Sequence, residues 1–326
     1  MELGLVPIHG GPDGQAEPLY DFSTNANPFG PNPVLLAHIQ QADLSRYPDP
    51  LYTRLRERLA AHHKVAPEEV AVGAGASELI FRLVLHFKGP VLLLPPTFGE
   101  YVRAALAHGV PLLLARDGEE FLELLPKAAL AFLALPNNPT GEVYPWALEA
   151  AAQAERHGVP LVFDLAYYPL LERAFPLPQG LHLYAPNKAH GLTGVRAGYL
   201  LAPFDLTPFQ HRAFSWPLSP YGVAFLEGTL AQEAQAWLER TKPLLHAQRR
   251  RLAEGLRGLG LEVRESPANF LLVRVGESSR VAQALRARGI RVRDAASFGL
   301  AGWLRLSAQK EEAQRALLQA LKEVLG

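Results

Sequence analysis

From about residue 70 the chain alternates short apolar runs with helical stretches: Val70 to Val72, Val91 to Leu94, Leu112 to Leu114, Leu130 to Leu135, Val159 to Phe163, Leu181 to Tyr184 and Tyr199 to Leu201. Alternation of this kind predicts a mostly parallel sheet covered on both faces. A ligand then belongs at the carboxyl ends of the strands. After Pro220 the pattern becomes helical through Leu259, rich in Ala, Leu, Glu and Arg. The tail carries strand-like runs at Leu261 to Arg264, Asn269 to Val275, Ile290 to Arg293 and Trp303 to Ser307, with helices near Ser279 to Arg288 and up to Leu325. That mixture reads as a small α+β domain. Residues 1 to about 30, rich in Gly, Pro and Asn, read as an extended arm lying on another element. The expected organisation is an arm with part of the small domain over 1–44, a large domain over 45–219, and an interdomain helix with the rest of the small domain over 220–326.

Composition narrows the function classes. With 326 residues, 48% of them apolar, the chain can fill one large core and a smaller companion. Its 32 basic and 32 acidic residues cancel, and no basic stripe interleaves with aromatics, which argues against nucleic acid as a partner. No apolar run approaches the roughly 18 residues of a membrane span, and the start lacks a basic-then-apolar leader pattern. A cytoplasmic protein acting on a small molecule is expected. Without cysteine there are no disulfides, thiolate metal sites or cysteine nucleophiles. One methionine, 28 prolines and 25 arginines against seven lysines point to a thermophile, although a GC-rich genome biases arginine and proline the same way. The lysine count matters more. Six of the seven fall in charged or helix-end contexts, and Lys188 alone follows a buried-strand pattern.

Two residues stand at informative distances from Lys188: Asp164 lies 24 positions before it and Arg196 eight positions after it. An amine, a carboxylate and a guanidinium in this order meet the needs of pyridoxal phosphate, which requires an amine for its aldehyde, a counter-charge for its pyridine nitrogen and a cation for its phosphate. Asp164 ends the run Val159 to Phe163, where an unpaired buried carboxylate costs several kcal/mol, roughly, unless a cation meets it. Taken singly, it is better read as a strand-end Asp capping the turn before Ala166. Tyr167 and, from the loop Pro136 to Gly141, Asn138 can donate to the cofactor's phenolic oxygen. The segment Gly73 to Glu78 opens a helix whose first amides, at Ala76 and Ser77, and the Ser77 hydroxyl suit a phosphate. Phe98, in a loop after another strand, can stack on an aromatic ring. Arg305 sits in the apolar run Trp303 to Ser307, where an arginine usually has a carboxylate or phosphate to bind.

With these residues laid out, the chain resembles the fold-type I pyridoxal phosphate enzymes of the class I/II aminotransferase family from about His9 to Arg305. The resemblance implies an α/β fold with a seven-stranded, mostly parallel sheet in the large domain plus a small α+β domain. It makes Lys188 the lysine that bonds to the cofactor and moves the substrate proton, Asp164 the pyridine partner, and Tyr167 and Asn138 the phenolic-oxygen donors. Arg196, Ser77 and the Ala76 amide become phosphate ligands, Phe98 the ring stacker, Arg305 the clamp on the substrate carboxylate, and Asn25 a substrate neighbour. Tyr47, in Arg46-Tyr47-Pro48-Asp49-Pro50, resembles a tyrosine that reaches the phosphate across a dimer interface, which implies a homodimer.

Two branches of the family share the motifs. His9-Gly10-Gly11, Asp21 to Pro28, Gly73 to Ile80 and Pro96 to Tyr101 are similar to threonine-phosphate decarboxylase, while Arg46 to Pro50 and Ser266 to Leu272 are shared equally with histidinol-phosphate aminotransferase. Both branches usually carry hydroxyl residues where Ala185 and Asn187 stand here. The same lysine, aspartate and arginines serve either outcome, because the bond that breaks is the one held perpendicular to the ring. Amino transfer between an amino acid or phosphorylated amine and a 2-oxo acid is the leading expectation, with decarboxylation the alternative. A non-catalytic, cofactor-binding regulator is a remote third, since the lysine is intact.

Overall fold

The computed structural model describes residues 9–326, so the first eight residues of the expected arm lie outside the described residues. The chain enters with β1 (Tyr20–Asp21), α1 (Pro33–Gln40) and α2 (Thr53–His63). There follow β2 (Val70–Gly73), α3 (Ala76–Phe87), β3 (Val91–Leu93), α4 (Gly99–Ala107), β4 (Leu112–Leu114), α5 (Gly118–Leu124), β5 (Leu130–Ala134) and α6 (Ala147–His157). Next come β6 (Leu161–Asp164), β7 (Leu181–Tyr184), β8 (Gly198–Leu201), α7 (Thr207–Gln210), α8 (Pro220–Thr229) and α9 (Gln232–Gly258). The chain ends with β9 (Val263–Arg264), β10 (Phe270–Arg274), α10 (Ser278–Arg286), β11 (Ile290–Arg291), β12 (Arg293–Asp294), β13 (Trp303–Ser307) and α11 (Glu311–Leu325).

All seven apolar runs read from the sequence enter one seven-stranded sheet of order β2-β8-β7-β6-β5-β3-β4. Pairings from β4 across to β7 are parallel, and β8 runs antiparallel to both β7 and β2. The central strands β5 and β6 are buried at every position, because helices cover both faces. On one face Leu79, Leu83 and Tyr101 of α3 and α4 pack against Ala71, Phe132 and Leu183. On the other, Phe121 and the alanines Ala150 and Ala154 of α5 and α6 meet Leu92, Leu133 and Phe163. Over the β2 and β8 end, Leu35, Leu55, Leu59 and Phe225 bring α1, α2 and α8 into a shared core with Val72 and Tyr199.

The tail forms a second, antiparallel sheet of order β12-β13-β10-β9, packed by Leu252 and Leu256 of α9 and Leu317 and Leu321 of α11. The expected single strand Ile290 to Arg293 divides. β11 pairs in parallel with β1, and β12 joins the four-stranded sheet. Phe22, just after β1, is fully buried in that core, so this part of the arm is tied to the small sheet. Among the described residues no helix is long and apolar enough to cross a membrane.

Candidate active site

The carboxyl ends of the parallel strands and the α3 N-terminus surround a cleft of about 500 Å³, open solvent at its mouth included. Of the sequence-predicted residues, Ala76, Ser77, Phe98, Asn138, Asp164, Tyr167, Lys188 and Arg196 all line it. They come from the segments at the ends of five strands, β2, β3, β5, β6 and β7, which all end at the same edge of the sheet.

Asp164 is the last residue of β6 and is buried. One carboxylate oxygen accepts the Tyr101 hydroxyl at 2.8 Å and the other accepts the Ala166 amide at 3.0 Å. The turn-capping role and the pocket role therefore coexist. Burial pushes the Asp164 carboxyl above its ordinary value, against the two hydrogen bonds and the nearby Lys188 charge. Burial also pushes the Tyr101 phenol well up, with the Asp164 charge adding to it. Burial of this carboxyl would favour a further positive charge beside it. The Lys188 amine stands 4.9 Å from the centre of the Tyr167 ring, and Tyr167 meets Phe270 edge-on.

At the other end of the cleft, Gly75 caps α3 with φ +89, a conformation open to glycine. A Cβ on Gly75 would lie 2.9 Å from Arg196 Nη2, so the guanidinium rests against the turn itself. Behind that turn, Glu78 accepts the Ala74 amide at 3.1 Å and is neutralised by Arg82 at 2.9 Å. Arg196 is exposed and, among the described residues, has no acidic partner. Free first-turn amides and an unpaired guanidinium make an anion cradle.

Arg305 does not line the cleft's inner part but joins it through Asn138, whose side-chain oxygen accepts from Arg305 Nη1. Arg305 Nη2 donates to the Ser23 carbonyl at 2.6 Å, while its Nε is buried without a partner among the described residues. Burial lowers its pKa. Both of these hydrogen-bond acceptors are neutral. Asn25 follows two residues after Ser23: its carbonyl accepts from Asn269 at 3.1 Å, and both polar atoms of its side chain are buried without partners among the described residues. Tyr47 is elsewhere. It is 77% exposed and stacks on Trp216 at 4.3 Å, on the surface rather than in this chain's own cleft.

Tyr101 was not singled out by sequence reasoning. Its signal was available, since it stands three positions after Phe98 at the start of α4 and so shares that face. The Ser23 carbonyl, a backbone group, carried no signal at all. Ala185 and Asn187 line the cleft, and the Asn187 side-chain oxygen is buried without a partner.

A lysine amine, a cation-seeking carboxylate and an anion cradle on this sheet define an enzyme of the kind that holds a phosphorylated pyridine aldehyde. Comparison with known proteins gives the family: residues 17–321 match the model for aminotransferase class I and II, and the chain belongs to that family of pyridoxal phosphate-dependent aminotransferases. Histidinol-phosphate aminotransferase 1 of Thiobacillus denitrificans is 31% identical, over 94% of this chain and 85% of its own. The histidinol-phosphate aminotransferase of Thermococcus gammatolerans is 31% identical, over 93% and 91%. Among solved structures, that of histidinol-phosphate aminotransferase from Sinorhizobium meliloti with pyridoxal-5'-phosphate superposes with a TM-score of 0.83 at 27% identity, covering 95% of this chain and 91% of that one.

Proposed function

We propose that this aminotransferase acts on a phosphorylated amine of the histidinol phosphate kind, with a 2-oxo acid as acceptor. The observation that carries the reading is Arg305: a buried cation whose hydrogen-bond acceptors among the described residues are neutral, one of them the cleft residue Asn138. A phosphate and a carboxylate can each take that charge in turn. The names of relatives matching nearly the whole chain support the same substrate class.

Bound pyridoxal phosphate supplies an electron-withdrawing ring that makes a substrate's α-proton removable. The residues present fit it. Asp164 would face the pyridine nitrogen, whose positive charge answers the buried carboxylate. Phe98 would cover the ring. Asn138 gives its oxygen to Arg305, leaving its amide hydrogens, with the Tyr167 hydroxyl, for the phenolic oxygen. The Ala76 and Ser77 amides, the Ser77 hydroxyl and Arg196 would hold the phosphate. Lys188 would carry the covalent link and move the substrate's proton, and Asn25 would offer its unpartnered amide to substrate.

The domain limits at 44/45 and 219/220 and the homodimer belong to the same proposal. Exposed Tyr47, Leu51, Phe214, Trp216 and Tyr221 supply an apolar face suited to a second copy, with Tyr47 reaching that copy's phosphate. A sedimenting monomer that retains cofactor would remove this role.

Decarboxylation is the second reading. It is favoured by His9, of the Gly-rich motif shared with that branch, which lies 5.7 Å from Phe98 and bonds Glu100 at 3.0 Å. Incubation with histidinol phosphate and 2-oxoglutarate should yield glutamate. Carbon dioxide from threonine phosphate without amino transfer would replace the first reading by the second.

A further inference from the structure

The lysine loop, residues 185–197, joins β7 to β8 without strand or helix pairing of its own. Its internal backbone bonds include His190 to Pro186 and Gly191 to Lys188, both 3.3 Å, and Leu192 to Asn187 at 2.8 Å. Ala185 offers no side-chain hydrogen bond, and Asn187 reaches only the Thr193 carbonyl at 3.4 Å. Something else must fix where the Lys188 amine stands.

We propose that Asn27 and Asn32 are positioning residues for Lys188, the segment from Ser23 to Asn32 acting as a strap across the lysine loop. Three successive carbonyls of the loop are taken by it. The Asn27 amide donates to the Lys188 carbonyl at 2.9 Å, the Asn27 side chain to Ala189 at 3.2 Å, and the Asn32 amide to His190 at 2.9 Å. The Asn32 side chain adds a contact to His190 Nδ1 at 3.0 Å. Both asparagines are buried, at 3% and 0% exposure, where an unpaired amide would be costly. Each is engaged from both ends. Asn27 also donates to Thr241 Oγ1 at 2.9 Å and accepts from the Phe29 amide, while Asn32 caps α1 and donates to the Ala234 carbonyl.

Strap and loop also meet at the backbone: a Cβ on Gly30 would lie 2.8 Å from Gly191 Cα and from the His190 carbonyl. No side chain could be inserted there. At its other end the strap holds the Arg305 cation through the Ser23 carbonyl, and just before it the Phe22 carbonyl accepts from Ser307. One short segment thereby sets the lysine and the guanidinium relative to each other.

The inference rests on the reading of Lys188 as the cofactor lysine, and the test separates the two. Asn27→Ala removes the link to Ala189; Asn27→Asp removes the donor while keeping size and the acceptor for Phe29, and stands in should the alanine variant not fold. Thr241→Val removes the other partner of Asn27 and serves as the packing control. In cofactor-free protein, hydrogen exchange of the peptide spanning residues 186–192 should accelerate about fivefold in either Asn27 variant and stay near wild type in Thr241→Val. In loaded enzyme the Asn27 variants should lower kcat about fivefold with KM little changed, and alter the visible circular dichroism per bound cofactor. Unchanged exchange, or an equal response in Thr241→Val, overturns the proposal. A wild-type protein that binds no cofactor would instead sink the reading of Lys188, with the exchange result still judging the strap.

Discussion

At the scale of single residues, the cleft is built around buried polar groups, and Asp164 shows what their hydrogen bonds do. With Tyr101→Phe the carboxylate loses one of its two donors, which favours its protonated form further. Loss of a hydrogen bond to a charged group, about 1.5–3 kcal/mol, predicts a fall of about tenfold or more in kcat, read by steady-state kinetics with far-UV circular dichroism unchanged. A second prediction concerns acid. His63, His190 and His246 are pushed by burial down to about 4, so the folded chain keeps them neutral where the unfolded chain, near 6.5, would protonate. Folded pKa values below unfolded ones stabilise the protein above about pH 6.5, and this contribution is lost as pH falls from there through about 4. Thermal melts across that window should show Tm declining, with a shallower slope in His246→Gln. At this scale the sequence was most readable for Lys188, Asp164 and Arg196, because their charges are informative at fixed spacings. The backbone groups that hold Arg305 and Lys188 are the same in every residue, so nothing in the sequence advertised them.

At the scale of elements, the seven strands of the large sheet were legible because burial on both faces demands uninterrupted apolar runs. The helices α1 and α2 were not singled out. α2 is dominated by Arg, His and Glu, with Leu55, Leu59 and Ala60 as its buried residues. Its apolar stripe is narrow, and tertiary packing decides it. The division of residues 290–294 between two sheets was equally hidden, since a local pattern says that a segment is extended and not which neighbour it joins. The N-terminus of α3 permits a sharper prediction. Gly75→Ala must place a Cβ against Arg196 in a left-handed backbone, at a strain of roughly 1–3 kcal/mol. Cofactor affinity by equilibrium dialysis should fall at least about tenfold, and inorganic phosphate should protect the variant from heat less than wild type.

At the scale of the whole molecule, the length and apolar fraction forecast a globular protein, but not how its two larger sheets are joined. The joint is α9. Its 27 residues span about 40 Å, and along that length it meets the strap at Ala234 and Thr241. Further on, His246 bonds the Leu170 carbonyl at 2.9 Å, behind Tyr167, and Arg249 binds the Ala268 carbonyl at 3.1 Å and Glu172 at 3.0 Å. Leu252 and Leu256 then enter the core of the small sheet. A rod so stitched to both halves leaves neither able to melt alone. Calorimetry should therefore record one transition whose van't Hoff and calorimetric enthalpies agree for each cooperative unit. Heating or truncation should cost the protein both its larger sheets together, so that damage at one end of the chain registers as loss of the entire fold.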